Sequence, residues 1–373
     1  MYGKAGAVAA CTSESHVKIA MSAVPVAAAL GLLVGDDARA SQDVLAAWGW
    51  NGFGQLDAPA SLPGLRAVAG GSDHTLAVVE GGRVVAWGWN QSRQCDVPVG
   101  LVDVVQVAGG FSHSIARRSD GSLVAWGSST YGQAAAPPTT QHFLAIAAGA
   151  YHNVALQIDS LVLCWGRNNY RQCDAPLGVQ AALAVSAGLW HSAAITLDGA
   201  VVVWGRNDMG QVGVPAGLGP TQGIACGFNH VLALAADGSV RAWGSDSHGQ
   251  CAVPSSLGPV VAVAAGGSHS LALTEDGSVV AWGQNDQQQC AVPGTVASAR
   301  QIACGRVHSL AIVAGIGCAA DLDGSGSVDA TDLTALLSLW GQSTSAGADI
   351  NGDGTVGAAD LTAMLASWGP CPA

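Results

Sequence analysis

Residues 266–290 read GGSHSLALTEDGSVVAWGQNDQQQC. One apolar run enters Gly266, a second begins at His269, and a third follows Asp276-Gly277 and ends at Trp282-Gly283. Apolar runs this short, broken by Gly and by Asp-Gly, read as antiparallel strands, and Asp-Gly is among the dipeptides best suited to a tight hairpin. The same turn recurs at Asp120-Gly121, Asp198-Gly199 and Asp237-Gly238. Trp48, Trp87, Trp126, Trp165, Trp204, Trp243 and Trp282 are spaced by 39 residues without slippage. His74, His113, His152, His191, His230, His269 and His308 keep that step, as do Gln55, Gln94, Gln133, Gln172, Gln211, Gln250 and Gln289. A period of this size marks a solenoid, a propeller or an array.

Composition agrees with strands. The chain has 373 residues, 51 of them Gly, with 11% charged and 49% apolar residues. It can bury a core, and its length suits one large domain or two to three ordinary ones. A formal net charge of -12 makes it a poor ligand for phosphate backbones, so no nucleic acid is expected as a partner.

The repeat block begins with a third-strand unit at Trp48 that has no first or second strand before it, and ends with first and second strands around His308 that no Trp-Gly strand follows. These missing parts are complementary. The expected fold is all-β: a seven-bladed β-propeller closed by the N-terminal strand, which leaves no sheet edge exposed. Beside it stands a small α-helical calcium-binding domain. The domains expected are 1–40, a signal peptide with an extended n-region; 41–315, the propeller; and 318–373, the acidic module. The signal rests on Lys18, an uncharged run of 17 residues and a small-x-small end at Ala38 and Ala40, and implies a secreted or cell-surface protein. The run is short for a membrane span, and membrane attachment follows only if it is not cleaved.

Within each repeat the Trp reads as packing between sheets and the His as a structural hydrogen-bonding group. Recognition is expected where the ruler stays constant and the residue varies. Two places before the Gln stand Phe53, Tyr131, Tyr170 and Met209, and just before the His stand Tyr151 and Trp190. Aromatic and Met side chains are the usual anchors of interfaces, and rings also stack on sugars, so the expected ligand is a protein or a glycan. Trp50 and Trp89 mark another patch, which fades into Ser128, Arg167 and Arg206. There is no GxSxG, no HExxH and no recurring acid pair, so no catalytic residue and no small-molecule redox cofactor is assigned. Two other readings are a hydrolase or lyase acting on polysaccharide in the propeller channel and a structural envelope component.

The pattern GxxHxxAL, DGxVxxWG, NxxGQ over residues 44 to 314 resembles the repeats of the regulator of chromosome condensation family. The short repeats are most similar to its secreted bacterial members, such as a beta-lactamase inhibitor. The resemblance implies the propeller fold; the family's functions are diverse.

After Gly317 the chain has seven Asp and no Lys, Arg or Glu. Two segments 28 residues apart place oxygens as a calcium loop does, at positions 1, 3, 5, 7, 9 and 12. The first offers Asp321, Asp323, Ser325, Ser327, Asp329 and Asp332; the second offers Asp349, Asn351, Asp353, Thr355 and Asp360, with Gly357 at the ninth place. Two calcium ions are expected. Each loop runs into one helix, and Asp replaces the usual Glu at position 12, which resembles a type I dockerin over residues 319 to 369. That resemblance implies a cohesin-like or other surface protein as the tail's partner. Loop positions 10 and 11, which select partners in dockerins, hold Ala330 and Thr331 in one half and Ala358 and Ala359 in the other. Cys318 and Cys371 bracket the module, and a bridge between them would add about 4 kcal/mol in the entropy model. The pairing of the propeller cysteines stays open.

Overall fold

The structure is a computed structural model that describes residues 43–137, 141–179, 181–314, 320–323, 325, 327–342, 348–351 and 354–370. The expected signal segment, Asp353 and the Cys318–Cys371 pair lie outside them.

The sixth repeat shows how the sequence makes a sheet. Its middle strand, His269–Thr274, is buried at all six positions, which is why HSLALT carries no charge. Val260–Ala265 and Val279–Gly283 flank it antiparallel, with Ser270 opposite Trp282 and His269 opposite Gly283. The hairpin between middle and outer strands is a type I turn ending in a left-handed glycine: Gly277 has φ 81°, and its N–H donates to Thr274 O at 2.9 Å. Asp276 braces it by accepting the Ser278 N–H at 3.1 Å.

Seven three-stranded sheets of this kind occur among the described residues. Six are contiguous in sequence. The other combines Ala299–Cys304 and His308–Val313 with the strand Val44–Gly49, which pairs Trp48 with Ser309 and Leu45 with Ile312. An Arg300–Asp43 ion pair at 2.7 Å holds the start of that strand.

The first strands lie side by side, and Ala299–Cys304 also packs on Ala67–Gly70 of the first repeat. Together they line a channel of about 280 Å³ walled mainly by Gly, Ala and Val. Its glutamines are tied to neighbouring backbone: Gln106 accepts from and donates to Ile146, at 3.2 and 3.1 Å, and Gln301 does the same with Val68. The apolar core lies between sheets: Leu271 and Leu273 pack with Trp48, Ile302 and Ala311 of the next sheet.

The acidic module contains α1 (Ala330–Ser338) and α2 (Ala358–Ala366). Its core consists of Ala320, Val328, Leu336, Ala348, Val356 and Met364, with a two-residue pairing of Ser327–Val328 to Gly369–Pro370. Among the described residues no helix is long and apolar enough to cross a membrane.

Candidate functional site

The antiparallel register fixes where variable residues emerge. Because Gly283 faces His269, the loop after each Trp-Gly and the turn before each His leave the same end of the sheet. The repeated Gln, His and Trp build the floor of that end. Each Gln side-chain oxygen accepts the backbone N–H two residues earlier, as Gln133 does from Tyr131 at 2.8 Å and Gln172 from Tyr170 at 2.9 Å. Its backbone carbonyl takes the indole N–H of the next outer strand: Trp126 Nε1 donates to Gln94 O and Trp204 Nε1 to Gln172 O, both at 2.8 Å.

All but one of the same carbonyls, Gln211 O being the exception, accept from the residue after a His. Ser192 Oγ donates to Gln172 O at 2.8 Å, and its oxygen lies 3.0 Å from His152 Nε2 of the preceding repeat. A hydroxyl has one proton, so His152 must be the donor at Nε2. Asn153 reaches the same result with its amide, giving Nδ2–H to Gln133 O at 2.8 Å and accepting from His113 through Oδ1 at 2.9 Å. The structural hydrogen bond expected of each His is thus made to a side chain of the next repeat. Val231 occupies the equivalent place in the fifth repeat and can neither donate nor accept, which leaves His191 Nε2 buried and unpartnered. Burial keeps these rings neutral. It lowers the pKa to about 3 for His74, His152, His191 and His269, and to about 4 for His113, His230 and His308. Each ring lies over a glycine; a Cβ at Gly266 would stand 2.1 Å from His269 Cε1.

On this floor Tyr131, Tyr151, Tyr170 and Trp190 come together. Tyr151 stacks between Phe111 and Trp190, with ring centroids at 5.5 and 5.2 Å and planes within 21° and 19°. Tyr131 meets Tyr151 edge-on at 5.6 Å, and Tyr170 lies tilted on Trp190 at 5.6 Å. Arg167 covers this group, its guanidinium 4.7 Å from the Tyr131 ring centre and 4.6 Å from that of Trp190. The Arg167 N–H donates to Tyr151 O at 2.8 Å, so the backbone sets the stack. Arg206 lies over Tyr170 at 5.2 Å and pairs with Asp208. Burial and the neighbouring Tyr131 push the Tyr151 hydroxyl pKa up. Met209 is exposed, and Phe53 belongs to a separate group with Trp50 and Trp89, at 5.1 and 6.1 Å. Reading the ruler missed Phe111, which sits two places before its His. It also took Arg167 and Arg206 as the fading of a Trp patch; they occupy the Trp50 position and cover rings instead.

In the acidic module carboxylate oxygens of Asp321, Asp323 and Asp332 lie within 4.8 Å of one another. Such a convergence of hard, charged oxygens suits a divalent cation of the calcium type. The ninth- and twelfth-place acids also cap α1: Asp329 accepts the Thr331 N–H at 2.7 Å, and Asp332 accepts the Asp329 N–H at 2.9 Å. Asp332 is fully buried and takes the N–H groups of Leu322 and Asp323 at 2.7 and 3.0 Å, which orient it toward the cluster. Burial pushes its pKa up, but these amides outweigh that and hold it below the usual carboxylate value. Asp360 repeats the arrangement, accepting from Asn351 and Gly357 at 3.0 and 2.7 Å; Gly357 has no side chain to return the cap. Ser325 accompanies the first loop, donating its N–H to Asp321 and Asp323, both at 3.0 Å. Ser327 pairs with the C-terminal strand, while Asp349 takes the Gly354 N–H at 2.8 Å in the second loop, which also contains Thr355.

Among the propeller cysteines, Cys164 and Cys173 form a disulfide across one repeat, from the outer strand to the loop after it. Cys95, Cys226, Cys251, Cys290 and Cys304 are free thiols.

Repeated three-stranded sheets with an acidic loop-and-helix module define a class: a repeat propeller joined to a calcium-type docking module. The family model of the regulator of chromosome condensation (RCC1) repeat matches residues 65–94, 104–133, 143–172, 183–211, 222–250 and 260–289, and that of the dockerin type I domain matches 319–366. The chain is a protein of RCC1 repeats with a C-terminal type I dockerin domain. The six matched segments are the contiguous repeats; the sheet assembled from both ends of the block has no continuous segment to match.

The fold is similar to that of Prp20p from Saccharomyces cerevisiae, at TM-score 0.65 and 18% identity over 78% of this chain and 97% of that one. It is also similar to human WBSCR16, at TM-score 0.61 and 19% identity over 72% and 99% of the chains. The CRINKLY WD40 ectodomain of the Arabidopsis thaliana receptor kinase ACR4 gives TM-score 0.53 and 24% identity over 65% and 90%. At these identities the likeness concerns fold alone. No curated protein sequence matches the chain.

Proposed function

We propose that this is an exported, non-catalytic binding protein. Its sheets form a closed seven-bladed propeller, completed by the strand Val44–Gly49. The propeller presents a recognition face, and two calcium ions in the dockerin loops hold the tail in a form that docks on a cohesin-like scaffold or surface protein. The observation that carries this reading is the aromatic group of Tyr131, Tyr151, Tyr170 and Trp190, drawn from positions that vary while their frame repeats. Tyr and Trp are the residues most used as binding anchors. The pairing of Val44–Gly49 with His308–Val313 supports closure, since it leaves a complete sheet where the ends of the block meet. The convergence of Asp321, Asp323 and Asp332 supports the first ion, with Ser325, Ser327 and Asp329 completing the loop. Asp349, Asn351, Asp353, Thr355 and Asp360 would hold the second. On the tail, Leu337, Trp340, Leu365 and Trp368 are exposed in equivalent places of the two halves, an apolar surface suited to a protein partner.

The test is affinity capture from the envelope and medium of the producing organism with the immobilised full chain, in calcium and in chelator. The expected result is one partner that is lost in chelator and lost with a D332N/D360N double variant, and a second retained in both. The same catch under every condition overturns the docking role; no retained partner overturns the recognition face.

A further inference from the structure

Three arginines lie over aromatic rings at this end of the propeller, and their charges are handled differently. Arg306, 5.3 Å from the Trp50 ring centre, is paired with Asp73 at 2.7 Å. Arg206, over Tyr170, is paired with Asp208. Arg167 lies over both Tyr131 and Trp190, its Nε is buried without a hydrogen-bond partner, and among the described residues no carboxylate pairs with it. Its rings stabilise the cation without using its in-plane donors, because the attraction acts through the guanidinium face. The fork is therefore braced, partly desolvated and unspent, the state in which a carboxylate gains most from binding it.

Resting on the recognition face assigned above, we infer that Arg167, within the Tyr131–Tyr151–Trp190 group, is the receptor for an acidic segment of a partner protein, with an Asp or Glu carboxylate on its guanidinium. A protein is favoured over a sugar by how the rings are used. Pyranose stacking needs an open ring face, but both faces of Tyr151 are taken, by Phe111 and by Trp190, and Arg167 covers Tyr131. The group also presents ring edges, tyrosine hydroxyls and a cation without a carboxylate, the mixture that anchors protein interfaces. Arg206, already neutralised by Asp208, widens the surface without adding a second free charge.

The test uses the calcium-saturated full chain and a fluorescein-labelled deca-glutamate peptide, followed by fluorescence anisotropy. An oligogalacturonate of ten units is the parallel probe, carrying the same number of carboxylates on sugar. The peptide is expected to bind saturably, and R167Q to weaken it about tenfold or more, as loss of a charge-assisted bond does. R93Q, at an exposed cation on the loop two repeats before, should leave binding unchanged. R167K keeps the charge without the planar fork and should fall between wild type and R167Q; because it preserves the cation, it also separates lost recognition from lost folding. Equal binding by R167Q and wild type, or equal weakening by R93Q, overturns the assignment to Arg167. Absence of saturable peptide binding overturns the inference altogether. Oligogalacturonate binding that depends on Arg167 without peptide binding overturns the protein partner while leaving the recognition face in place.

Discussion

The repeat propeller and the dockerin module solve the problem of buried polar groups in opposite ways. In the propeller every repeat but the one at Val231 carries its own remedy: a Gln carbonyl receives both a Trp N–H and a hydroxyl or amide, and that group in turn receives a histidine N–H. The Gln, His and Trp of this frame are uncharged near neutral pH. In the module, carboxylate oxygens of Asp321, Asp323 and Asp332 converge within 4.8 Å, and a cation would balance their repulsion. On the proposed reading the first region stands without metal near neutral pH and is vulnerable to protons, while the second depends on its ions. A binding face and a switchable attachment can thus share one chain.

Acid should break this comparison most severely. The seven frame histidines have folded-state pKa values near 3 to 4 against an ordinary 6.5, so the unfolded chain binds more protons below that value. Their stabilisation is fully present above pH 6.5 and is lost as pH falls toward the folded values. Each ring contributes a slope of up to about 1.4 kcal/mol per pH unit. Cooperative unfolding of the propeller at about pH 5, with uptake of several protons, is the expected outcome by circular dichroism and potentiometry. Asp332 has a lowered pKa, so its contribution is lost only below the ordinary carboxylate value, and the tail should outlast the propeller in acid when calcium is present.

Chelation should break it the other way. An ion at a thousandfold excess over its dissociation constant contributes about 4 kcal/mol, a large share of what so small a core can supply. Removing calcium, or making D332N, should melt α1 and α2 while the propeller signals stay in place in an NMR or hydrogen-exchange experiment.

Two substitutions sharpen the account of the frame. S192A removes the acceptor of His152 Nε2–H and should cost about 1 to 3 kcal/mol in denaturant unfolding. V231T offers a hydroxyl of nearly the same volume to His191 Nε2 and Gln211 O. It should stabilise by about 1 kcal/mol, and V231S should do likewise.

Much of this was legible because repetition averages out local ambiguity. The 39-residue step located the strands, the Asp-Gly turns and the end of the sheet where Tyr131, Tyr151, Tyr170 and Trp190 emerge. The loop spacing located Asp321, Asp323 and Asp332, and their convergence follows from the turn geometry that such spacing encodes. What escaped depended on contacts between repeats. The partner of a frame His lies on the next sheet, 40 residues on for five of them and 233 residues back for His308, so the exception at Val231 carries meaning only once the sheets are side by side. Phe111 joins the stack from a different ruler position, because the aromatic group is assembled across three repeats. Cys164 and Cys173 are nine residues apart, yet their pairing depends on how the loop after Trp165 folds back onto its strand.

The most direct measurement is differential scanning calorimetry of the full chain at neutral pH, in calcium and in chelator. The expected trace has two transitions, of which only the smaller moves down or vanishes when calcium is removed. A single transition that shifts as a whole, or two transitions that ignore calcium, would contradict the division into an ion-independent propeller and an ion-dependent docking tail.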